Sequence, residues 1–172
     1  MAEFLILVDE QDQEIGQMEK EKCHRLPGFL HRGFLVMVFS SKGELLLTRR
    51  SQDKPLFPEI WDGSIASHPR IGEGLEEAVK RRLVEEIGVN SPVGLENLFK
   101  FEYEACWKDK GVEKEVCSVF KVVCPQEIKP NPKEIDGFSW IPLEDLKKDL
   151  KNSPEKYSPW FKKAVEKLGA RD

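Results

Sequence analysis

The sequence predicts an α+β sandwich, and three observations predict it. Short apolar runs bounded by turn residues recur along the chain, which is the mark of strands. One segment, 74–89, carries instead the helical spacing of apolar residues, and a second amphipathic stretch lies near the C-terminus. At 172 residues with 40% apolar content, the chain has the size of one ordinary domain, here taken as 1–172. A domain of that length buries about two-thirds of its unfolded surface.

FLILV (4–8) is a short apolar run stopped by DEQDQE, so a buried strand and a turn are expected. GFLVMVFS (33–40) and ELLLTRR (44–50) flank Ser-Lys-Gly, the pattern of a hairpin. Two prolines make 51–60 an irregular loop, and IWDGSIAS (60–67) then reads as one extended segment. GLEEAVKRRLVEEIGV (74–89) is the main helix. ENLFKFEYEACW (96–107) and EKEVCSVFKVVC (113–124) form a second hairpin across KDKGV, and DGFSWIPL (136–143) is a last short strand. A short helix from about Leu143 and an amphipathic one over Pro154–Leu168 complete the chain.

Composition excludes several functions. The chain has 27 basic and 31 acidic residues, a formal charge of −4, so no global positive field draws in nucleic acid or an anionic membrane. Any anion must be bound locally, and the expected partner is a small molecule. No apolar run reaches the roughly 18 residues of a membrane span. The four cysteines form no C-x-x-C pair, and the N-terminus carries no secretory pattern, so a reducing cytoplasm and a monomer or homodimer are expected.

In the 74–89 helix, Leu75, Val79, Leu83 and Ile87 make one apolar stripe with Ala78 at its edge. At about 100° per residue, Arg82 and Glu86 fall within about 20° of Leu75 on the same face. Two charges therefore point where carbon belongs, and they need partners. Either they satisfy each other at i, i+4 spacing, or Glu86 holds a hard cation and Arg82 an anion. Arg81 and Glu85 lie to one side and read as solvent-facing.

The chain has only three histidines, His24, His31 and His68. Glu113 and Glu115, two apart on an expected strand, emerge on one face that continues into Cys117 and Val119. Two inward carboxylates repel unless protonated, bridged by a base or bound to a cation. Three imidazoles and two carboxylates make a plausible site for Mg²⁺, Mn²⁺ or Zn²⁺, with an oxygen content that argues against a purely structural zinc.

The segment from Ser67 to Val89 resembles the Nudix signature, G-x5-E-x7-R-E-U-x-E-E-x-G-U with U apolar. Glu73, Arg81, Leu83, Glu85, Glu86, Gly88 and Val89 match it, whereas Ser67 replaces its first glycine and Arg82 replaces a metal-holding glutamate. The resemblance implies the Nudix fold, a mixed β-sheet sandwiched between α-helices. CHRLPGFLH (23–31), SHP (67–69) and EKEVC (113–117) are similar to the metal-binding segments of type 1 isopentenyl-diphosphate isomerases, a branch of that superfamily, and the similarity covers nearly the whole chain. It implies one divalent ion on His24, His31, His68, Glu113 and Glu115. It also implies a diphosphate held by Lys20, Arg50, Lys54 and Arg82 with Mg²⁺ on Glu86, and catalytic roles for Glu115, Tyr103 and Trp160.

The double-bond shift that this family performs needs one proton delivered to carbon, a transient tertiary cation and a different proton removed. Glu115 and Tyr103 suit the transfers and the Trp160 face the cation. The family's second proton carrier is a cysteine two residues before the His of His-Pro, and this chain has Ala66 there. Isomerase-type chemistry on a prenyl diphosphate is the first expectation. A Nudix hydrolase using Glu73, Glu85 and Glu86, acting on a prenyl or nucleoside diphosphate, is the alternative, and a catalytically silent diphosphate-binding module the third.

Overall fold

The structure is a computed structural model and describes residues 2–125 and 127–170. In chain order it contains β1 (Phe4–Val8), β2 (Glu14–Glu19), α1 (Lys20–Cys23), β3 (His31–Ser40), β4 (Leu45–Arg50), β5 (Trp61–Gly63) and β6 (Ile65–Ser67). There follow α2 (Leu75–Ile87), β7 (Val93–Trp107), β8 (Gly111–Cys124), β9 (Ile135–Ile141), α3 (Leu143–Asn152), a 3-10 turn (Pro154–Lys156) and α4 (Pro159–Gly169). The strands join in one mixed sheet.

Both faces of that sheet are buried, which is why β3 reads as a continuous apolar run rather than an alternation. Side chains of a strand alternate between faces. Leu35, Met37 and Phe39 enter one core cluster with Leu45, Leu47, Phe101, Tyr103, Cys117 and Val119, under Leu146 of α3 and Trp160, Phe161, Ala164 and Val165 of α4. Phe34, Val36 and Val38 enter the other with Phe120 and Val122, against Ala78, Val79, Leu83 and Ile87 of α2. The apolar stripe expected on α2 is thus the face that packs on the sheet. Gly88 ends the helix in the left-handed region, φ 70°, its N–H turned back to Leu83 and Val84.

β3 is the centre. It pairs in parallel with β8 from His31↔Glu115 to Ser40↔Cys124, and antiparallel with β6. The hairpin expected between β3 and β4 is real only at its turn, where Phe39 pairs with Leu45. Beyond it the strands part, and β4 pairs with β9 and β5 instead. The single extended segment expected over 60–67 is divided for the same reason. β5 follows β4, β6 follows β3, and Ser64 between them fills the split. Its Oγ accepts from Val38 N at 2.9 Å and donates to Leu46 O at 2.7 Å, while its carbonyl accepts from Thr48 Oγ1 at 2.7 Å. A small polar side chain satisfies the backbone groups that the parting strands would orphan.

β7 and β8 form the expected second hairpin, from Val93↔Val123 to Trp107↔Gly111. β2 was not legible, because it pairs only with β1 at the sheet edge and carries only two apolar side chains, Ile15, which is exposed, and Met18, which is half-buried. The helix expected over Pro154–Leu168 is interrupted. Ser158 caps α4 by accepting from Phe161 N, Pro159 opens the first turn, and the residues before it form the 3-10 turn.

Gly63 is set by close approach, since a Cβ there would overlap the ring of Phe161. Overpacking of this kind costs about 1–3 kcal/mol. Gly63→Ala should therefore lower the unfolding free energy by that amount, read as a lower urea midpoint with an unchanged m-value, and an unaltered midpoint would show that α4 does not bear on β5.

Candidate active site

A cavity of about 720 Å³ opens between β6, β8 and the loops that precede β1 and follow β4. Two groups of polar side chains meet in it. At one end are imidazoles and carboxylates, at the other lysines, arginines and two further glutamates.

The first group is assembled by strand register. His31 opens β3 opposite Glu115 of β8, and Glu113 emerges two residues earlier on the same face. Gly33 follows on that face of β3, where a Cβ would overlap the Glu115 carboxylate, so the missing side chain makes room for it. His68 follows the last residue of β6. His24 follows α1 and is tied to the β7–β8 turn by Val112 N, which donates to its carbonyl at 2.9 Å. The result brings His24 Nε2 and His68 Nε2 each to 3.2 Å from His31 Nε2. Glu115 Oε1 lies 2.9 Å from His68 Nε2 and 3.5 Å from His31 Nε2, and Glu113 Oε2 lies 3.1 Å from His24 Nε2. Ligand atoms of His24, His31, His68 and Glu113 all fall within 4.8 Å of one another.

These spacings suit a metal ion. Two donors each about 2.0–2.2 Å from one ion, at roughly 90–109°, stand about 3.0–3.4 Å apart. His31 Nδ1 lies 2.8 Å from Phe29 O, an arrangement that puts its proton on Nδ1 and turns the Nε2 lone pair into the cluster. Cys23 Sγ, 3.3 Å from the same Nδ1, stands behind the imidazole rather than in the cavity. Glu113 Oε2, although close to His24, is a buried oxygen without an aligned hydrogen bond. Such an orphaned acceptor needs a cation.

Without an ion, the donors answer one another by sharing protons. Burial opposes the charged form of His31, but its contact with Cys23 and the bond and charge of Glu115 outweigh this and raise its pKa to about 10. Burial lowers His68 to about 4 although it touches the same carboxylate. Burial raises Glu115 too, yet its bonds to His31 and His68 hold it well below the usual carboxylate range. Neighbouring imidazoles shift in opposite directions because only one of a touching pair carries the proton. A divalent ion would serve every donor at once.

At the other end, Arg82 Nε and Nη2 donate to Glu86 Oε1 at 2.9 and 2.5 Å, Nη1 to Glu85 at 2.9 Å and Nη2 to Glu134 Oε1 at 3.1 Å. Lys54 is ion-paired with Glu134 Oε2. The i, i+4 pair is thus present, and it also belongs to a wider network. Burial raises the Glu134 pKa, but Lys54 and Arg82 overcome it and lower the value to about 2. Lys20 lines the cavity and pairs with Glu3 at 2.9 Å. Arg50 lines it too, with Nε and Nη2 donating to the carbonyls of Phe57 and Leu56 at 2.9 and 3.0 Å.

Between the two ends stand the aromatics. Tyr103 pairs across from Glu115 in the β7–β8 register, and burial with the Glu115 charge pushes its phenol up. Trp160 lies 5.6 Å from the Tyr103 ring and 5.0 Å from Phe57, with the Arg50 guanidinium 5.3 Å from its centre. Two carboxylates escaped the sequence reading. Asp62, fully buried, accepts from Trp160 Nε1 at 2.9 and 3.0 Å and from Ser158 Oγ at 2.9 Å, and Glu134 bridges Lys54 and Arg82. A further correction concerns Arg81, which is not a solvent-facing residue. It binds both oxygens of Glu73 at 2.7 and 2.8 Å, Glu85 at 3.0 Å and the His68 carbonyl at 3.3 Å, and so fastens the His68 loop to α2.

Two tests follow from this geometry. Purified protein should retain a divalent ion through dialysis, and elemental analysis should find it depleted in His24→Ala and Glu115→Gln; equal contents in all three would contradict the cluster as a metal centre. The second concerns pH. A carboxyl held at about 2 instead of 4.5 contributes stability above pH 4.5 that is lost as pH falls toward 2. Glu134→Gln should therefore lose less stability than the unmodified protein between those values in urea titrations, and parallel losses would refute the pairing.

The chain has relatives over nearly its full extent. The NUDIX domain family model matches residues 29–161. Isopentenyl-diphosphate Delta-isomerase 1 of Photorhabdus laumondii is 38% identical over 161 residues, which are 94% of this chain and 92% of that protein. The isopentenyl-diphosphate Delta-isomerase of Haloarcula marismortui is 36% identical over 170 residues, 94% and 88% of the two chains. Among solved structures, DR0079 of Deinococcus radiodurans aligns with a TM-score of 0.77 at 24% identity over 96% of this chain and 98% of that one. The MutT protein of Methanosarcina mazei aligns at 0.66 and 24% over 83% and 94%. These structural likenesses establish the Nudix fold. With a NUDIX domain over most of its length and such identity to curated enzymes end to end, the chain belongs to the Nudix superfamily and, within it, to the isopentenyl-diphosphate Delta-isomerase family.

Proposed function

We propose that the protein is a divalent-metal-dependent, cytoplasmic enzyme, monomeric or homodimeric, that binds a prenyl diphosphate and shifts its double bond. The observation that carries this reading is one cavity with imidazoles and carboxylates at one end, cations at the other and aromatic rings between. Lys20, Arg50, Lys54 and Arg82 take the diphosphate through charge-assisted bonds. Both Arg82 bonds to Glu86 fall on Oε1, which leaves the other carboxylate oxygen for a hard cation. When bound, Mg²⁺ at Glu86 neutralises phosphate charge, and a divalent ion on His24, His31, His68, Glu113 and Glu115 keeps the two carboxylates ionised and in place.

The prenyl chain then lies among Tyr103, Trp160 and Ala66. Protonation of the terminal alkene carbon gives a tertiary cation, and loss of a proton from the neighbouring carbon restores neutrality with the double bond moved. Glu115 and Tyr103 stand together at the proton-handling end, and the Trp160 ring supplies a π face for the cation. The opposite side lacks a titratable group at position 66, where β6 presents a methyl to the cavity. Cys117 does not replace it. Its thiol is buried, and burial with the charges of Glu115 and Asp62 keeps it protonated. The Ser67 hydroxyl is too weakly acidic to replace a thiol, so water must carry the second proton and turnover is slow.

The hydrolase alternative asks Glu73, Glu85 and Glu86 to gather metal ions. Arg82 counts against it, because a cation that binds Glu85 and Glu86 stands where that chemistry uses a metal-holding glutamate. A silent binding module would keep the cavity and show no turnover.

Proton and phosphorus NMR of isopentenyl diphosphate with the protein and Mg²⁺ separates these readings. Slow isomerisation is expected, rising about 10²–10⁴-fold in Ala66→Cys, the usual contribution of a positioned acid or base. Release of phosphate or pyrophosphate would favour the hydrolase, and binding without product in both proteins would favour the module.

A further inference from the structure

We propose that Glu134 is the internal counter-anion of the diphosphate site, and that it makes capture of a diphosphate dependent on a divalent cation. The proposal rests on the reading of Lys54 and Arg82 as diphosphate ligands. Glu134 spends one oxygen on each of them, Oε2 on Lys54 and Oε1 on Arg82 Nη2 at 3.1 Å. An anion that bridges an ammonium and a guanidinium with separate oxygens makes the contacts a phosphate group would make.

Two further facts set the consequence. Glu134 sits just before β9, its backbone held by Ser51 N on its carbonyl and by its own N–H on Asn131 O, each at 2.9 Å, so the carboxylate is carried on a fixed point beside the site. The local charge also leaves no positive surplus, because Lys54 and Arg82 face Glu85, Glu86 and Glu134. Arg50 adds little directed attraction while Leu56 and Phe57 occupy two of its nitrogens. A metal-free diphosphate therefore meets two cations whose charge is already answered, and on taking them it faces the carboxylates it releases. A divalent cation that binds oxygens of both carboxylate and phosphate removes that repulsion. Selection for the metal complex over the free anion is then a property of Glu134.

Calorimetry with inorganic pyrophosphate tests this in full-length protein, with excess Mg²⁺ or with EDTA. The unmodified protein should bind the Mg²⁺ complex at least about tenfold more tightly than the free anion. Glu134→Gln keeps the shape and removes the charge. It should bind metal-free pyrophosphate about tenfold or more tighter than the unmodified protein, with the Mg²⁺ preference reduced, and Glu134→Ala should do the same. Asp136→Asn removes an equal charge two residues away, from a pair with Arg49, and should change neither value. If the unmodified protein binds Mg²⁺-pyrophosphate but metal-free binding is unchanged or weaker in both Glu134 variants, this inference fails and the diphosphate reading stands. If Asp136→Asn matches them, the effect is general charge and the inference fails. If the unmodified protein does not bind pyrophosphate with Mg²⁺, both fail.

Discussion

The parallel pairing of β3 with β8 is the constraint on which the rest of the structure depends. Strand side chains alternate between faces, so the register that sets His31 beside Glu115 also decides which face every later residue meets. A slip of one residue would turn Glu113 and Glu115 toward α2 and leave the imidazoles without acid partners. It would also turn Cys117 and Val119, on the same face of β8, into the wrong layer. Core packing and site assembly therefore select the same register, and the apolar two-thirds of both strands hold the polar ends in place.

The polar ends carry opposed costs. Buried carboxylates and imidazoles are expensive unless each has a partner, and in the metal-free cluster one oxygen of Glu113 lacks an aligned one. The cationic end solves the same problem differently, with Glu86 and Glu134 closing on Arg82 and Lys54. One end thus awaits a cation and the other has supplied its own anion. Asp62 links the aromatic wall to this arrangement, because it fixes the Trp160 indole and lies 3.8 Å from Arg50. Arg81 does the equivalent work for His68 by tying its carbonyl to α2.

Much of this was legible in the sequence, and the exceptions have physical reasons. The α2 stripe, the β7–β8 hairpin and the pairing of Glu113 with Glu115 on one face all follow from local periodicity. The scarcity of histidines singled out His24, His31 and His68, which the fold brings together with Glu113. Strand partners are not local: the divergence of β3 from β4 depends on Ser64, 24 residues beyond Ser40, satisfying both. β2 lacked a signal because an edge strand buries little. Glu134 lies in a polar stretch with no periodicity, and only the tertiary fold sets it beside Arg82, 52 positions away. Asp62 stood in the WDGS segment, yet its partner Trp160 is 98 positions distant.

The central claim is that three imidazoles and two carboxylates form one preorganised oxygen- and nitrogen-donor metal centre before any substrate arrives. X-ray absorption fine structure on the zinc-loaded, substrate-free protein tests it most directly. The account predicts a shell of nitrogen and oxygen at about 2.0–2.2 Å with the outer-shell scattering of three imidazoles, and no sulfur. A sulfur at about 2.3 Å, which would place the ion on Cys23, or fewer than three imidazoles, would contradict it.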